Sequence, residues 1–541
     1  MIVGRLSMIL AFAGGAALRV PVAPALKGYP LNRYLGLLPS FRGDAVGCLA
    51  AHAAYCREEG LDAVALNMGL LGRFTMVIGS EQLAAIFDDR DNIYYKSAID
   101  RRGVGLLTGI GVLLADGEEH TRRRRLVLPS FEARRLERYM ETMTTVAQQL
   151  SDELLQAADG SPSSKMPVAS TMSAAALRIV GLCLFSTDPS ANAGSFASAL
   201  EACLEHTVWI SRTALPPPRW LPTRRNRRFR RNLRTLDDFV YGLINERRRV
   251  EQSGARRAAE VIALARAAQS DARQPAEAPS RGDLLGMLLE AEVDPEDEDS
   301  SRRGGGSGGG RGAGDAAGLS AREVRDEAMT LMLAGHETSA LALTWCLHYL
   351  SAEDMTGWRA AIADEGRELL RDGASPSMLE KGMPNTRAAL CESLRLRPPG
   401  WAFDREVQRA VTLPGGIELR KREILLISPF TQHQDEAVFS EPERYDPTRF
   451  LNAQGTRSGA GDAWDGGFGK HEYMPFGQGR RRCIGYRFAR WEMLVVLATL
   501  LAHVDISRPS GYVEPLCDGS VTLRPAAEFE LTVRRREQSS K

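Results

Sequence analysis

The segment Phe476-Gly477-Gln478-Gly479-Arg480-Arg481-Arg482-Cys483-Ile484-Gly485, followed by an apolar-periodic run from Tyr486 to Val504, constrains this chain more than any other stretch. It holds one cysteine between glycines and beside cations, just ahead of a predicted helix. Neighbouring positive charge and a helix N-terminus both lower a thiol's pKa, and the thiolate is the form that ligates a metal. Gly479 and Gly485 let the backbone approach a flat, bulky group and take φ values that other residues resist. Arg481, two residues before the sulfur, is placed to hold an anionic substituent of that group through charge-assisted hydrogen bonds. Read alone, the loop fits a second role equally well, since arginine-rich loops with glycine are commonly solvated or bind phosphate.

A second constellation lies far upstream. Ser320-Ala321-Arg322-Glu323 forms a capping box that opens a predicted helix over Ala321–Ser351. That helix passes through apolar Met329 to Leu333 and meets Ala334-Gly335-His336-Glu337-Thr338. Glycine inside a helix costs about 0.5–1 kcal/mol relative to alanine, so something must approach closely at Gly335. Thr338 is spaced to bond back to the Ala334 carbonyl and bend the helix. Glu337 is an acid in an apolar segment, where a lone carboxylate is costly. Together the gap, the hydroxyl and the acid suit the delivery of protons to a bound oxygen species. A tolerated kink beside a partly exposed acid would look the same in sequence.

Glu392 and Arg395 stand three apart on one helix face, with Pro398-Pro399 ending that helix. Arg449, in Asp446-Pro447-Thr448-Arg449-Phe450, is a candidate third member of their network. His120 and Arg124 are four apart and share a face, either to grip one anionic group or as an exposed basic turn.

The remaining signals bound the class. The other helical stretches include Leu136–Ala158 and Leu236–Glu251, while Ala63–Asn67, Phe74–Ile78 and Leu425–Ile427 read as strands of a small sheet. The fold is mainly α with a minor β portion. Residues 253–283 and 294–318 read as flexible insertions with little apolar surface to bury. The eight cysteines contain no CxxC pair, so no disulfide, zinc or iron–sulfur spacing is present. A formal net charge of +1 and the absence of a binding motif exclude a basic nucleic-acid binder. Residues 1–43 carry basic but no acidic side chains, and the uncharged run Leu6 to Leu18 is shorter than the ~20 residues a spanning helix needs. That segment fits targeting or peripheral membrane attachment, with residues 537–541 as a tail.

The order and character of these pieces resemble the cytochrome P-450 superfamily of haem-thiolate monooxygenases, from about Gly36 to Arg536. The resemblance rests on Phe476, Gly479, Arg481, Cys483 and Gly485 as the haem-binding signature. Gly335, Glu337 and Thr338 match the oxygen-activation motif, and Glu392, Arg395 and Arg449 the structural triad. One position departs: Thr448 stands where a glutamate is common. The resemblance implies one large catalytic domain over residues 44–536, with haem b buried between a long central helix and the cysteine loop. It implies Cys483 as the iron ligand, Thr338, Glu337 and Gly335 as catalytic residues, and His120, Arg124, Arg405 and Arg481 on the haem propionates. Val104 to Leu114, the Leu331–Gly335 face and Gly400-Trp401-Ala402-Phe403 would shape the substrate pocket.

The implied activity inserts one atom of dioxygen into an apolar small molecule of terpenoid, sterol, fatty-acid or carotenoid type. Electrons would come from a separate ferredoxin or NADPH-dependent flavoprotein reductase. Arg480, Arg481, Arg482, Arg487, Arg490 and the Arg122–Arg125 run are candidates to receive that partner. The implied location is a membrane or an organelle: endoplasmic reticulum, plastid or mitochondrion. The alternatives are a peroxide-using or substrate-rearranging relative, and a non-catalytic haem or hydrophobic-ligand binder.

Overall fold

A computed structural model describes residues 37–158, 164–190, 193–213, 215–267, 283–292, 318–451 and 463–537. Most of the N-terminal segment, residues 268–282 of the first insertion, nearly all of the second and nearly all of the C-terminal tail lie outside the described residues. The contacts gather into two compact units, residues 37–95 with 403–427 and residues 96–402 with 428–537. The smaller unit takes its strands from both ends of the chain, a pairing that local sequence pattern cannot show.

The smaller unit is a sheet with helices α1 (Ala45–Glu58) and α2 (Ser80–Asp88). Its strands are β1 (Ala63–Asn67), β2 (Arg73–Val77), β3 (Tyr94–Tyr95), β4 (Phe403–Val407) and β5 (Ile424–Ile427), in spatial order β1-β2-β5-β4-β3. β2 and β5 run parallel, with Phe74 opposite Ile424, and the other pairs are antiparallel. All four residues of β5 are buried, as expected of an apolar strand covered on both faces. The three strand-like runs read from sequence all fall in this one sheet.

The larger unit is helical. Its helices are α3 (Gly117–Val127), α4 (Ala133–Ala158), α5 (Val168–Phe185), α6 (Ala193–Ser211), α7 (Arg224–Ala267), α8 (Ala321–Leu350), α9 (Thr356–Asp372), α10 (Pro384–Leu396) and α11 (Tyr486–His503). The capping box forms as expected, with the Glu323 N–H donating to Ser320 Oγ and the Ser320 N–H to Glu323 Oε2 at 2.8 Å. At 1.5 Å per residue, α8 is about 45 Å long. α7 is much longer than the expected Leu236–Glu251. Thr223 accepts the Asn226 N–H at 3.1 Å ahead of its first turn, and the helix continues into the stretch read as an insertion.

α5 is apolar and long enough to cross a membrane, but 61% of its 18-residue window is buried inside the protein, packed on α8 and α4. It serves here as a core helix. The glycine of α8 explains part of that packing. A Cβ on Gly335 would lie 3.1 Å from Val180 Cγ2 of α5, so the expected close approach is made by a neighbouring helix. The missing side chain of Gly335 makes room for Val180.

Candidate active site

The cysteine loop is closed by its own backbone. Cys483 N–H donates to Phe476 O at 2.9 Å, Arg482 N–H to Gly479 O at 3.1 Å, and Gly477 N–H to Met474 O at 3.0 Å. Gly477 and Gly479 take φ of 64° and 66°, which favours glycine at both. Gly485, by contrast, has an ordinary φ of −90°. Its contribution is the N–H that bonds the Cys483 sulfur and lowers the thiol's pKa.

Cys483 is the one exposed cysteine among the described residues, yet desolvation is the largest influence on it and raises its pKa. The charges of Arg124, Arg482 and Arg490 act in the opposite sense, toward thiolate. α8 opens in the same way. From Val324 to Leu350 only Ala334 is exposed, in mid-helix among buried neighbours. The next turn carries the anticipated bond, Thr338 Oγ1 donating to Ala334 O at 2.6 Å.

Glu337 is held from elsewhere. Thr522 Oγ1 donates to its Oε1 at 2.7 Å, while burial pushes its carboxyl above the usual range. That direction, toward the neutral acid, suits a proton donor.

The basic residues divide. Arg124 is half-buried, with its pKa depressed by desolvation and raised only by Cys483, and no carboxylate pairs with it among the described residues. His120 is buried one helical turn earlier on α3. Arg481 is drawn to Asp116, which also takes Arg101 and accepts the Lys96 N–H at 3.0 Å. Arg405 lies in the smaller unit, buried on β4 over the Phe403 ring at 5.0 Å. Phe476 is half-buried under Arg490, 5.4 Å from its ring centroid.

Several arginines expected at a partner surface are committed inside. Arg490 is buried over Trp464, and Arg123 is buried against Glu119, Glu323 and Glu327. Arg122 pairs with Glu119 and Glu323. Arg125, Arg480 and Arg487 remain exposed.

Glu392, Arg395 and Arg449 do form one network. Arg395 donates to both Glu392 oxygens, at 2.7 and 2.8 Å, with neither side chain exposed. Arg449 Nε reaches Glu392 Oε1 at 3.3 Å, and the Asp446 N–H reaches the same oxygen at 2.9 Å. Thr448 bonds Asp446 Oδ1 at 2.5 Å. His433, which sequence reasoning missed, links this network to the cysteine loop. The backbone carbonyl of His433 accepts from Arg395 Nη1 at 2.8 Å, and its Nε2 accepts the Met474 N–H at 2.9 Å. Its Nδ1 therefore carries the proton and donates to Arg395 O at 3.1 Å.

A family model described as Cytochrome P450 matches residues 64–533. The chain belongs to the cytochrome P450 family. A cyclooctatin synthase of Streptomyces melanosporofaciens is 30% identical to this P450 over 77% of its chain and 78% of the relative. A pentalenene oxygenase of Streptomyces avermitilis is 29% identical over 82% and 84%, and cytochrome P450 4F2 of Homo sapiens is 30% identical over 79% and 74%. Relatives named as an oxygenase and as a hydroxylase mark the P450 as an oxidoreductase of the monooxygenase type. Membership implies a haem cofactor, dioxygen, an apolar substrate and a redox partner.

The residues present fit a haem. An open thiol with an N–H on its sulfur offers an iron ligand, and Arg124 is a desolvated cation lacking an anion. Ala334 leaves α8 open where a planar group needs a flat wall.

One buried acid in this P450 escaped the sequence reading. Glu492 of α11 is completely buried, and neither carboxyl oxygen has an aligned hydrogen-bond partner among the described residues. The Ser339 hydroxyl of α8 is near enough to lower its pKa without being aligned to bond. Burial dominates and pushes the group from 4.5 to about 8. A raised folded pKa stabilises fully below the unfolded value and loses that stability as pH rises through the folded one. The Glu492 contribution should therefore fall between about pH 4.5 and 8, by up to about 1.4 kcal/mol per pH unit, and melting temperature should follow it between about pH 6.5 and 8. His206, His336, His348 and His433, held down near 4, 4, 3 and 3, act in the opposite sense below about pH 6.5, where only the unfolded chain takes up their protons, so the Glu492 slope is read above that pH. Glu492→Gln should flatten this slope, and an unchanged slope would assign it to another group.

Proposed function

We propose that this P450 inserts one atom of dioxygen into an apolar small molecule, with haem b on Cys483 and electrons from a separate ferredoxin or flavoprotein reductase. The observation that carries this reading is the Cys483 sulfur, exposed where the other thiols are buried or half-buried, bonded by the Gly485 N–H and subject to the charges of Arg124, Arg482 and Arg490. Haem bound there supplies dioxygen activation and oxygen-atom transfer.

The protein's own part is positioning, proton supply and exclusion of water. Arg124 and His120 on α3 would hold the propionate groups. Thr338 spends its proton on Ala334 O, so its lone pairs are left to accept a hydrogen bond from a distal water. Glu337, fixed by Thr522 and biased toward its neutral form, would replenish protons behind it. The loop from Val104 to Leu114 is pinned to α8, with the Ile110 N–H on Asp326 at 3.1 Å and the Val112 N–H on Glu327 at 3.0 Å. That anchoring supports a pocket wall of fixed shape.

The apolar terpenoid, sterol, fatty-acid and carotenoid classes are the substrate field. The relative named pentalenene oxygenase makes pentalenene the first compound to try. The basic, acid-free N-terminal segment supports a membrane or organelle location.

The test is a binding screen that follows the haem spin-state shift, then turnover with reductant and dioxygen. Product should require both. Thr338→Ala should keep the spectrum and substrate shift but lower product per electron consumed about tenfold or more. Turnover with peroxide alone would favour the peroxide-using alternative, and spectral shifts without any turnover would favour a binding protein.

A further inference from the structure

A cleft of about 360 Å³ lies between α6 and the start of α7, well apart in sequence from the cysteine loop and the middle of α8. Its lining includes Glu205, His206, Arg224, Arg225, Arg228 and Phe229. The monooxygenase chemistry uses none of them.

We infer that this cleft binds a phosphate monoester, held by Arg224, Arg225 and Arg228 with the buried imidazole of His206 beside them. Charge gives the class of ligand. The lining carries three guanidiniums and one carboxylate, Glu205, which calls for an anion rich in acceptor oxygens, and a phosphate monoester presents three where a carboxylate presents two. Geometry prepares the donors. Arg225 stands over the Trp209 ring at 4.4 Å, which fixes the plane of its guanidinium, and Arg228 is only loosely held by Glu205 at 3.7 Å. Arg224 pairs with no carboxylate among the described residues and sits at the first position of α7, where the helix dipole favours an anion.

His206 supplies an independent sign. It is only 3% exposed, stacked on Phe229 at 4.3 Å, and its Nδ1 has no hydrogen-bond partner among the described residues. Leaving such an atom unmade is costly, so it calls for a ligand. Burial, then the charges of Arg225 and Arg219, hold this histidine near a pKa of 4. It therefore enters the site neutral, able to give or take one hydrogen bond. A dianion among the arginines would cancel the repulsion that keeps it so, and its pKa would rise.

The test uses the full-length holoprotein labelled at histidine Cε1, titrated with inorganic phosphate at constant ionic strength. The His206 resonance, assigned with His206→Gln, should shift saturably with phosphate, should not shift with chloride, and should titrate at higher pH when phosphate is bound. Arg225→Ala combined with Arg228→Ala should weaken binding at least tenfold with an unchanged melting temperature. Phosphatidylcholine vesicles containing phosphatidate identify the source. Co-sedimentation that phosphate competes away assigns the ester to a lipid, whereas phosphate binding without co-sedimentation assigns it to a soluble compound. No response of His206 to either phosphate or vesicles, or full affinity in the double variant, overturns the inference. Neither readout depends on the haem site.

Discussion

Cys483→Ala should erase the strongly red-shifted Soret band of the reduced, carbon-monoxide-bound protein and bring product to background. No other thiol is placed to replace it. Six of the remaining cysteines are buried, and Cys517 lies on a short strand, Cys517–Gly519, after α11. The substitution should leave the fold intact, because the loop is closed by backbone bonds from Cys483 N and Arg482 N that alanine keeps. Melting should shift by no more than a change at an open site, about 0.5 kcal/mol. The spectrum then reports ligation rather than unfolding. A wild-type band of the imidazole kind, or an alanine variant with the wild-type band, would refute thiolate ligation.

Arg395→Ala should cost about 3–5 kcal/mol, a large part of the 5–15 kcal/mol that holds a typical protein together. The guanidinium makes four hydrogen bonds, two to Glu392, one to His433 O and one to Arg444 O. Removing it leaves a carboxylate with no exposure at all to the longer Arg449 bond and the Asp446 N–H, both on one oxygen. Arg395→Lys should fail almost as badly, since an ammonium cannot span the same fork. Arg444→Ala is the control, because its pair with Glu441 is 65% and 71% exposed and worth at most about 1 kcal/mol. Urea unfolding of the three variants should separate Arg395 from Arg444 by several kcal/mol. Equal midpoints would show that the buried network contributes little.

What could be read from sequence was whatever lay close along the chain. The capping box of α8, the Thr338 back-bond and the Glu392–Arg395 pair each join residues within four positions, so spacing alone implied them. Tertiary competition was invisible. Asp116 stands 365 positions from Arg481 yet claims it, and Thr522 stands 185 from Glu337. Gly335 was singled out as a point of close approach, but the approaching group is Val180. His433 and Glu492 carried no local signal, because a lone histidine in a loop and one acid on an apolar helix are common. Their roles come only from what the fold packs around them.

His433 has a consequence beyond support. Both ring nitrogens are already engaged, one giving and one receiving, so protonation would have to break the bond from Met474. Its pKa near 3 keeps that from happening until the solution is strongly acidic. The tether between the buried ion pair and the cysteine loop is thus electrically silent across the pH range in which the enzyme's protons must move. Protonation changes elsewhere in the enzyme can proceed without loosening the mooring of the cysteine loop.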